Sequence, residues 1–384
     1  MKTHGMGRGA AIAATTALAT ALSACAGAGG GGNGGEKADE ADTARYQKNL
    51  EAWYEGTYKE PEAPEVKAPK GKDIWLVSAG MGIEYSVRVA NAAKEAADDL
   101  GWTVHVFDSK FDPNQMLTGV QQAVVARADG IIVTNIDCSY VKNAAKQAAD
   151  AGIPIIGLEA QDCDPGLYGH VVGYAGKASL EDWLQDWGRA QAAWAIAKTD
   201  GKAKVVLNTG TDAAATRATA EGNKAEIREC PTCEVVGDAK YVAADFGPKL
   251  QEKIQQAMTK RPDANVFIPS YDAVMTQSGG AQALKSTGRL AQLAVVGGEG
   301  SSAGIDQIRS GQGMEMCVGQ SGEWETYAAF DALVRLFLDR DPTEADTGNG
   351  IQICDKDHNL PSKGKAYTPP VDFAKAYQKL WGLS

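Results

Sequence analysis

Histidine, positive charge and long apolar runs are all in short supply, and each shortage closes off a class of function. Of four histidines in 384 residues, His105, His170 and His358 are scattered and His4 sits at the extreme N-terminus, so no His-x-x-x-His metal spacing occurs. There is no Gly-x-Ser-x-Gly elbow, and Gly-rich pieces such as Gly297-Gly298-Glu299-Gly300 lack the Lys-Ser/Thr ending of a phosphate loop. The expectation is therefore no enzyme, no catalytic residues, no cofactor and no metal. Lysine and arginine number 38 against 49 acids, for a formal charge of −11, so nothing attracts nucleic acid or anionic lipid. The most apolar stretch, Ala10 to Ala21, is far shorter than the roughly 20 residues a spanning helix needs.

That stretch has a different reading. Lys2 and Arg8 precede it, and Leu22-Ser23-Ala24-Cys25 closes it with small residues, the pattern of a signal peptide (1–24) ending in a lipobox. Acylated Cys25 would hold the protein to the extracytoplasmic face of the cell membrane, and two or more chains make such an anchor stable. Six cysteines remain, an even number in an exported chain, so disulfides are expected among them. Residues 25–71 read as a lipid-anchored linker and N-terminal extension. Ala26 to Gly35 is a flexible Gly-rich spacer, followed by a charged, Pro-punctuated stretch with a short helix over 44–54 whose apolar positions can pack on the body.

From Asp73 onward, short apolar runs alternate with Ala-rich amphipathic stretches. Residues 74–77, 103–107, 130–134 and 153–158 read as buried strands, with helices over 86–100, 114–127 and 141–151. Strict alternation predicts a parallel sheet with right-handed crossovers and helices on both faces.

The same order then returns. Phe111-Asp112-Pro113, Val120-Gln121-Gln122-Ala123 and Asp137 are echoed by Phe246-Gly247-Pro248, Ile254-Gln255-Gln256-Ala257 and Asp272; Ile155 to Glu159 is echoed by Val295 to Glu299. The offsets of about 134 to 140 residues imply two similar doubly wound α/β lobes. In open α/β sheets a ligand sits beyond the carboxyl ends of the strands, so two such lobes would enclose a cleft there. Polar and aromatic groups fall just past those ends: Tyr85, Asn135, Asp137, Glu159, Thr209, Arg217, Tyr271, Asp272 and Glu299. Carboxylates accept several hydrogen bonds and suit a hydroxyl-rich molecule, while Tyr85 and Trp324 could cover its apolar faces.

At these strand ends the chain resembles type I periplasmic binding proteins, and within them the ribose-binding-like sugar receptors of ABC importers. Asn135-Ile136-Asp137 is similar to the family's segment after its fourth strand, Gly297-Gly298-Glu299-Gly300 to its Gly-Phe-Asp-Gly, and Ile153 to Glu159 to a run ending in an acid followed by Arg, where Ala160 stands here. Only one aromatic, Tyr85, occupies the position of two adjacent rings, and Arg217 or Thr219 answers the family's arginine in the second lobe.

The resemblance implies a three-segment hinge near 172–174, 319–322 and 348–351, with lobe 1 as 72–173 plus 320–350 and lobe 2 as 174–319 plus 351–384. It also implies a ligand set of Tyr85, Asp137, Glu159, Arg217, Tyr271, Asp272, Glu299, Gln320 and Trp324. The function implied is capture of a small polar molecule, a sugar or polyol, by a monomer that delivers it to ABC permease subunits. The alternatives are a receptor for an aromatic acid, amino acid or nucleoside, or a sensory receptor signalling to a membrane kinase. In that fold Cys138 and Cys163 follow neighbouring strands, Cys230 and Cys233 enclose a turn before a strand, and Cys317 and Cys354 lie on two late strands, although six cysteines allow fifteen connectivities.

Overall fold

The computed structural model describes residues 40–383; the signal peptide, Cys25 and the Gly-rich spacer lie outside the described residues. Helix α1 (Glu40–Glu55) comes first. The first lobe then alternates strictly: β1 (Asp73–Ser78), α2 (Glu84–Leu100), β2 (Thr103–Asp108), α3 (Pro113–Val125), β3 (Gly130–Thr134), α4 (Cys138–Asp150), β4 (Ile155–Leu158) and β5 (His170–Val171). Local chemistry sets the boundaries. Asp112 accepts a hydrogen bond from Asn114 N ahead of Pro113 at the first position of α3, and α2 ends on Gly101 in the left-handed conformation. All five strands are parallel in the order β2-β1-β3-β4-β5, and β3 is buried throughout because helices cover both faces.

The second lobe repeats the plan with α5 (Leu180–Lys198), β6 (Lys204–Leu207), α6 (Ala214–Arg228), β7 (Glu234–Asp238), α7 (Pro248–Lys260), β8 (Val266–Ile268), α8 (Asp272–Thr276), α9 (Gly280–Ser286), β9 (Ala294–Val295) and α10 (Ser302–Ser310). Its parallel order β7-β6-β8-β9 reproduces the first four positions of the other sheet, as the sequence repeat requires. Backbone bonds from Glu315 N to Val295 O and from Val318 N to Gly298 O carry this sheet on to β10 (Met316–Gly319). Strand β11 (Gln352–Asp355) pairs antiparallel with β10. Between them runs α11 (Gly322–Leu336), and α12 (Phe373–Leu380) ends the chain.

The chain passes between the lobes beside Val172–Ala175, Gly319–Gly322 and Thr347–Ile351: Val172 packs in the first core and Tyr174 in the second, and Ile351 in the second while Trp324 lies in the first. The C-terminal helix corrects the domain boundary read from the sequence. Tyr377, Leu380 and Trp381 pack with Trp324 and Phe330 in the first lobe, not the second, because the apolar face of α12 finds the uncovered side of α11.

The N-terminal extension adds a fourth pass. Tyr46 and Leu50 of α1 pack in the second-lobe core; Thr57 N donates to Ile351 O and Lys59 N to Gly348 O; Val66 and Ala68 then enter the first-lobe core, with Val66 N donating to Leu380 O. The extension lies so close to the third crossing that a Cβ on Gly348, itself at φ +66°, would stand 2.1 Å from Lys59 O. Disulfides join Cys138 to Cys163, Cys230 to Cys233, and Cys317 to Cys354 across the β10–β11 ladder.

Candidate functional site: an aromatic and acidic cleft between the lobes

A cavity of about 200 Å³ lies between the carboxyl ends of the two sheets. It is smaller than the roughly 300–1,000 Å³ typical of pockets for drug-sized ligands, which limits it to a small molecule. The lobes meet around it. Ala214 N donates to Asp137 Oδ2 at 3.1 Å, Tyr140 Oη to Asp212 O at 2.9 Å, Gln277 Nε2 to Gly82 O at 2.9 Å, and Ser302 N and Oγ each to the Glu84 carboxylate at 2.8 Å. With so many bonds crossing from one lobe to the other, the arrangement is a closed one.

The acids sit on strained loops at the strand ends. Asn135 follows β3 at φ +57° and Glu159 follows β4 at φ +45°, a conformation non-glycine residues seldom adopt and one that recurs at functional sites. It turns the two side chains toward each other, and Asn135 Nδ2 donates to Glu159 Oε2 at 2.7 Å. Gln320 Nε2 bonds the other oxygen of Glu159 and also Glu325 Oε1, whose partner oxygen accepts from Tyr85 Oη at 2.7 Å. In the second lobe, Glu299 is 7% exposed and accepts from Asp272 N at 2.9 Å.

Burial dominates the electrostatics. It raises the carboxyl of Glu159 above its ordinary value, against the bonds from Asn135 and Gln320. Burial, with the Asp272 charge beside it, pushes Glu299 up to about 8. Fully buried Glu325 is raised well above the carboxylate range by burial and then by the charge of Glu159.

Six of the nine ligand residues expected from the sequence line the cavity: Tyr85, Asp137, Glu159, Tyr271, Glu299 and Gln320. Three do not. Arg217 is exposed and its guanidinium donates to Thr211 O at 3.0 Å; Thr216 and Thr219, three apart on α6, share the inward face, and Arg217 lies off it. Asp272 is fully buried, and its carboxylate accepts from Gly298 N, Gly300 N and Ser301 N, tying down the loop that carries Glu299. Its counterpart in the repeat, Asp137, likewise accepts from Gln161 N beyond the next strand, but keeps its place on the cavity wall. Trp324 is fully buried in the first-lobe core between Tyr58 and Phe373, with Nε1 donating to Thr347 O.

Several lining groups escaped the sequence reading. Phe111 lines the cavity, and Phe246, from the second copy of the Phe-x-Pro motif, stands behind the wall with its ring centroid 6.4 Å from that of Phe111 and 6.4 Å from that of Tyr271, to which it is parallel. The repeat itself carried that signal. Trp187, buried in the middle of α5 and donating Nε1 to Val318 O, reads in sequence as an ordinary core residue, and Tyr140 and Tyr241 carried no signal either.

The periplasmic binding protein domain model matches residues 74–340. The ribose import binding protein of Salmonella typhimurium is 27% identical over 244 residues, spanning 62% of this chain and 76% of that one. A glucose-galactose binding protein from Geobacillus stearothermophilus superimposes with a TM-score of 0.66 at 20% identity, covering 76% of this chain and all of the other. An ABC transporter solute-binding protein from Mycobacterium smegmatis, solved with bound glycerol, gives 0.64 at 17% identity, covering 78% and 100%. Matched domain, duplicated sheets and interlobe cleft lead to one conclusion: the chain belongs to the periplasmic binding protein family.

Proposed function

We propose that the cleft captures a monosaccharide or a polyol of similar size, and that the protein, tethered outside the cell through acylated Cys25, acts as a monomer that hands it to the permease subunits of an ABC importer. The observation that carries this reading is the cavity wall, where rings (Tyr85, Phe111, Trp187, Tyr271) alternate with acceptors at the strand ends (Asn135, Asp137, Glu159, Glu299). A sugar ring has apolar faces to lie against the former and hydroxyls to donate to the latter. The relatives whose names mention ribose, glucose and galactose support the same class. No helix among the described residues is long and apolar enough to cross a membrane, and the Leu-Ser-Ala-Cys25 run supports a lipid tether.

A thermal-shift screen across sugars, polyols, nucleosides, amino acids and aromatic acids tests the ligand class. A ligand at a hundredfold its Kd adds about 2.7 kcal/mol of stability, well within detection. Shifts confined to the nucleosides, amino acids or aromatic acids would refute the sugar reading. For the tether, Cys25→Ala should move the protein out of the membrane fraction or leave it unprocessed, and unchanged acylation would refute it.

A further inference from the structure

The cavity wall is rich in acid. Among the described residues Asp137, Glu159, Asp212 and Glu299 line it, and no lysine, arginine or histidine does. The neighbouring guanidiniums are engaged elsewhere: Arg217 points outward onto Thr211 O, and Arg88 forms a two-pronged pair with Glu323 at 2.6 and 2.7 Å. Three of the four acids accept from backbone donors, Glu299 among them. Asp137 accepts from Gln161 N and Ala214 N, and Asp212 from Ala243 N.

Glu159 has only the side-chain amides of Asn135 and Gln320, and Gln320 Nε2 is shared with another carboxylate, fully buried Glu325. Glu299, nine-tenths buried on the cavity wall, accepts from backbone N–H groups alone, among them Asp272 N. A buried carboxylate without a countercharge is strongly unfavourable, and breaking or lacking one half of a buried ion pair is the costly case. The faces of Tyr85, Phe111, Trp187 and Tyr271 complete the wall, and the π-face of an aromatic ring attracts cations.

We infer that the ligand brings the missing positive charge: the cleft selects an amino-substituted sugar or polyol, whose ammonium sits against Glu299 and Glu159 while the aromatic faces cover the rest. This rests on the solute-receptor reading above and narrows its ligand class. Burial raises the carboxyls of both Glu159 and Glu299, Glu299 to about 8, so Glu299 holds its proton near neutral pH. The charged and titratable groups around Glu299 are Asp272 and Glu159, which oppose its ionisation, together with Tyr271 and Arg88. Arrival of an ammonium favours the ionised form, so binding near neutral pH releases protons.

The test pairs each amine with its neutral counterpart: glucosamine, galactosamine and mannosamine against the parent hexoses and their N-acetyl forms, and 1-deoxynojirimycin against glucose. Binding is followed by calorimetry at pH 7 in two buffers of different ionisation enthalpy. At least one amine should bind tenfold or more tightly than its neutral partners and release protons, and Glu299→Gln should abolish both the preference and the release. A neutral sugar that binds as tightly as its amine, or tighter, overturns the inference and leaves the sugar receptor standing. Binding by none of these compounds overturns this inference, and the wider thermal-shift screen then decides the sugar reading separately.

Discussion

Glu299→Gln should make the ligand-free protein more stable at alkaline pH, although it removes a group from the binding site. The sign follows from the raised pKa. Below about pH 4.5 the carboxyl is protonated whether the chain is folded or not; between 4.5 and 8 the folded state holds the proton and the unfolded state loses it, so stability falls as pH rises, and above 8 the loss is complete. A displacement of about 3.5 pH units, at 1.36 kcal/mol each, sets an upper figure of about 5 kcal/mol. Opening of the cleft rehydrates the carboxylate, so the expected gain at pH 8.5 is about 2–5 kcal/mol. Glutamine keeps the shape and can still accept from Asp272 N, so at pH 5 the two proteins should agree within about 1 kcal/mol. The assay is urea unfolding at pH 5, 7 and 8.5 on protein refolded free of ligand. Asp272 and Glu159 act on Glu299 through their charges, so the difference between the two proteins reports Glu299 together with the relief its removal gives them. Parallel pH curves, or a variant less stable than the parent at pH 8.5, would refute the reasoning.

Three further outcomes can be checked. Helices α5 and α6 touch backbone to backbone, and a Cβ on Gly222 would stand 1.9 Å from Gln185 O, so Gly222→Ala should lower the unfolding free energy by about 3 kcal/mol, read as a lower urea midpoint with the slope unchanged. Replacing each cysteine pair by alanine should cost about 4 kcal/mol for Cys317–Cys354 and about 3.5 for Cys138–Cys163, because they close loops of 37 and 25 residues, against about 1.5 for the three-residue Cys230–Cys233; a different ranking in unfolding free energies would contradict the loop-entropy account. A chain beginning at residue 63 lacks α1 and the bonds of Thr57 and Lys59 to the third crossing, and should show a larger radius of gyration by small-angle scattering in the absence of ligand; an unchanged radius would mean the extension does not restrain the lobes.

The architecture was legible because its causes are local and periodic. Buried parallel strands demand continuous apolar runs, as in Gly130–Thr134, and the repeated Phe-x-Pro, Gln-Gln-Ala and Gly-x-Glu landmarks announce a second copy of the same sheet order. Strand ends also located the cleft, since the topology of an open α/β sheet decides where side chains converge. What the sequence could not decide is the direction in which each of those side chains points. Asp272 and Trp324 stand at the right places along the chain, yet one serves the loop Gly298–Ser301 and the other a core shared with α12, because each found more buried partners behind the cleft than within it. Arg217 is turned outward by the phase of α6, one residue from Thr216 on the inward face. Trp187, Tyr140 and Tyr241 reach the cavity from elements that look like ordinary core and surface, and while the apolar positions of the extension announced its packing, the backbone hydrogen bonds it makes to the third crossing are ones any sequence could supply. Periodicity settles which face of an element is buried; the docking of one element on another settles what that face touches.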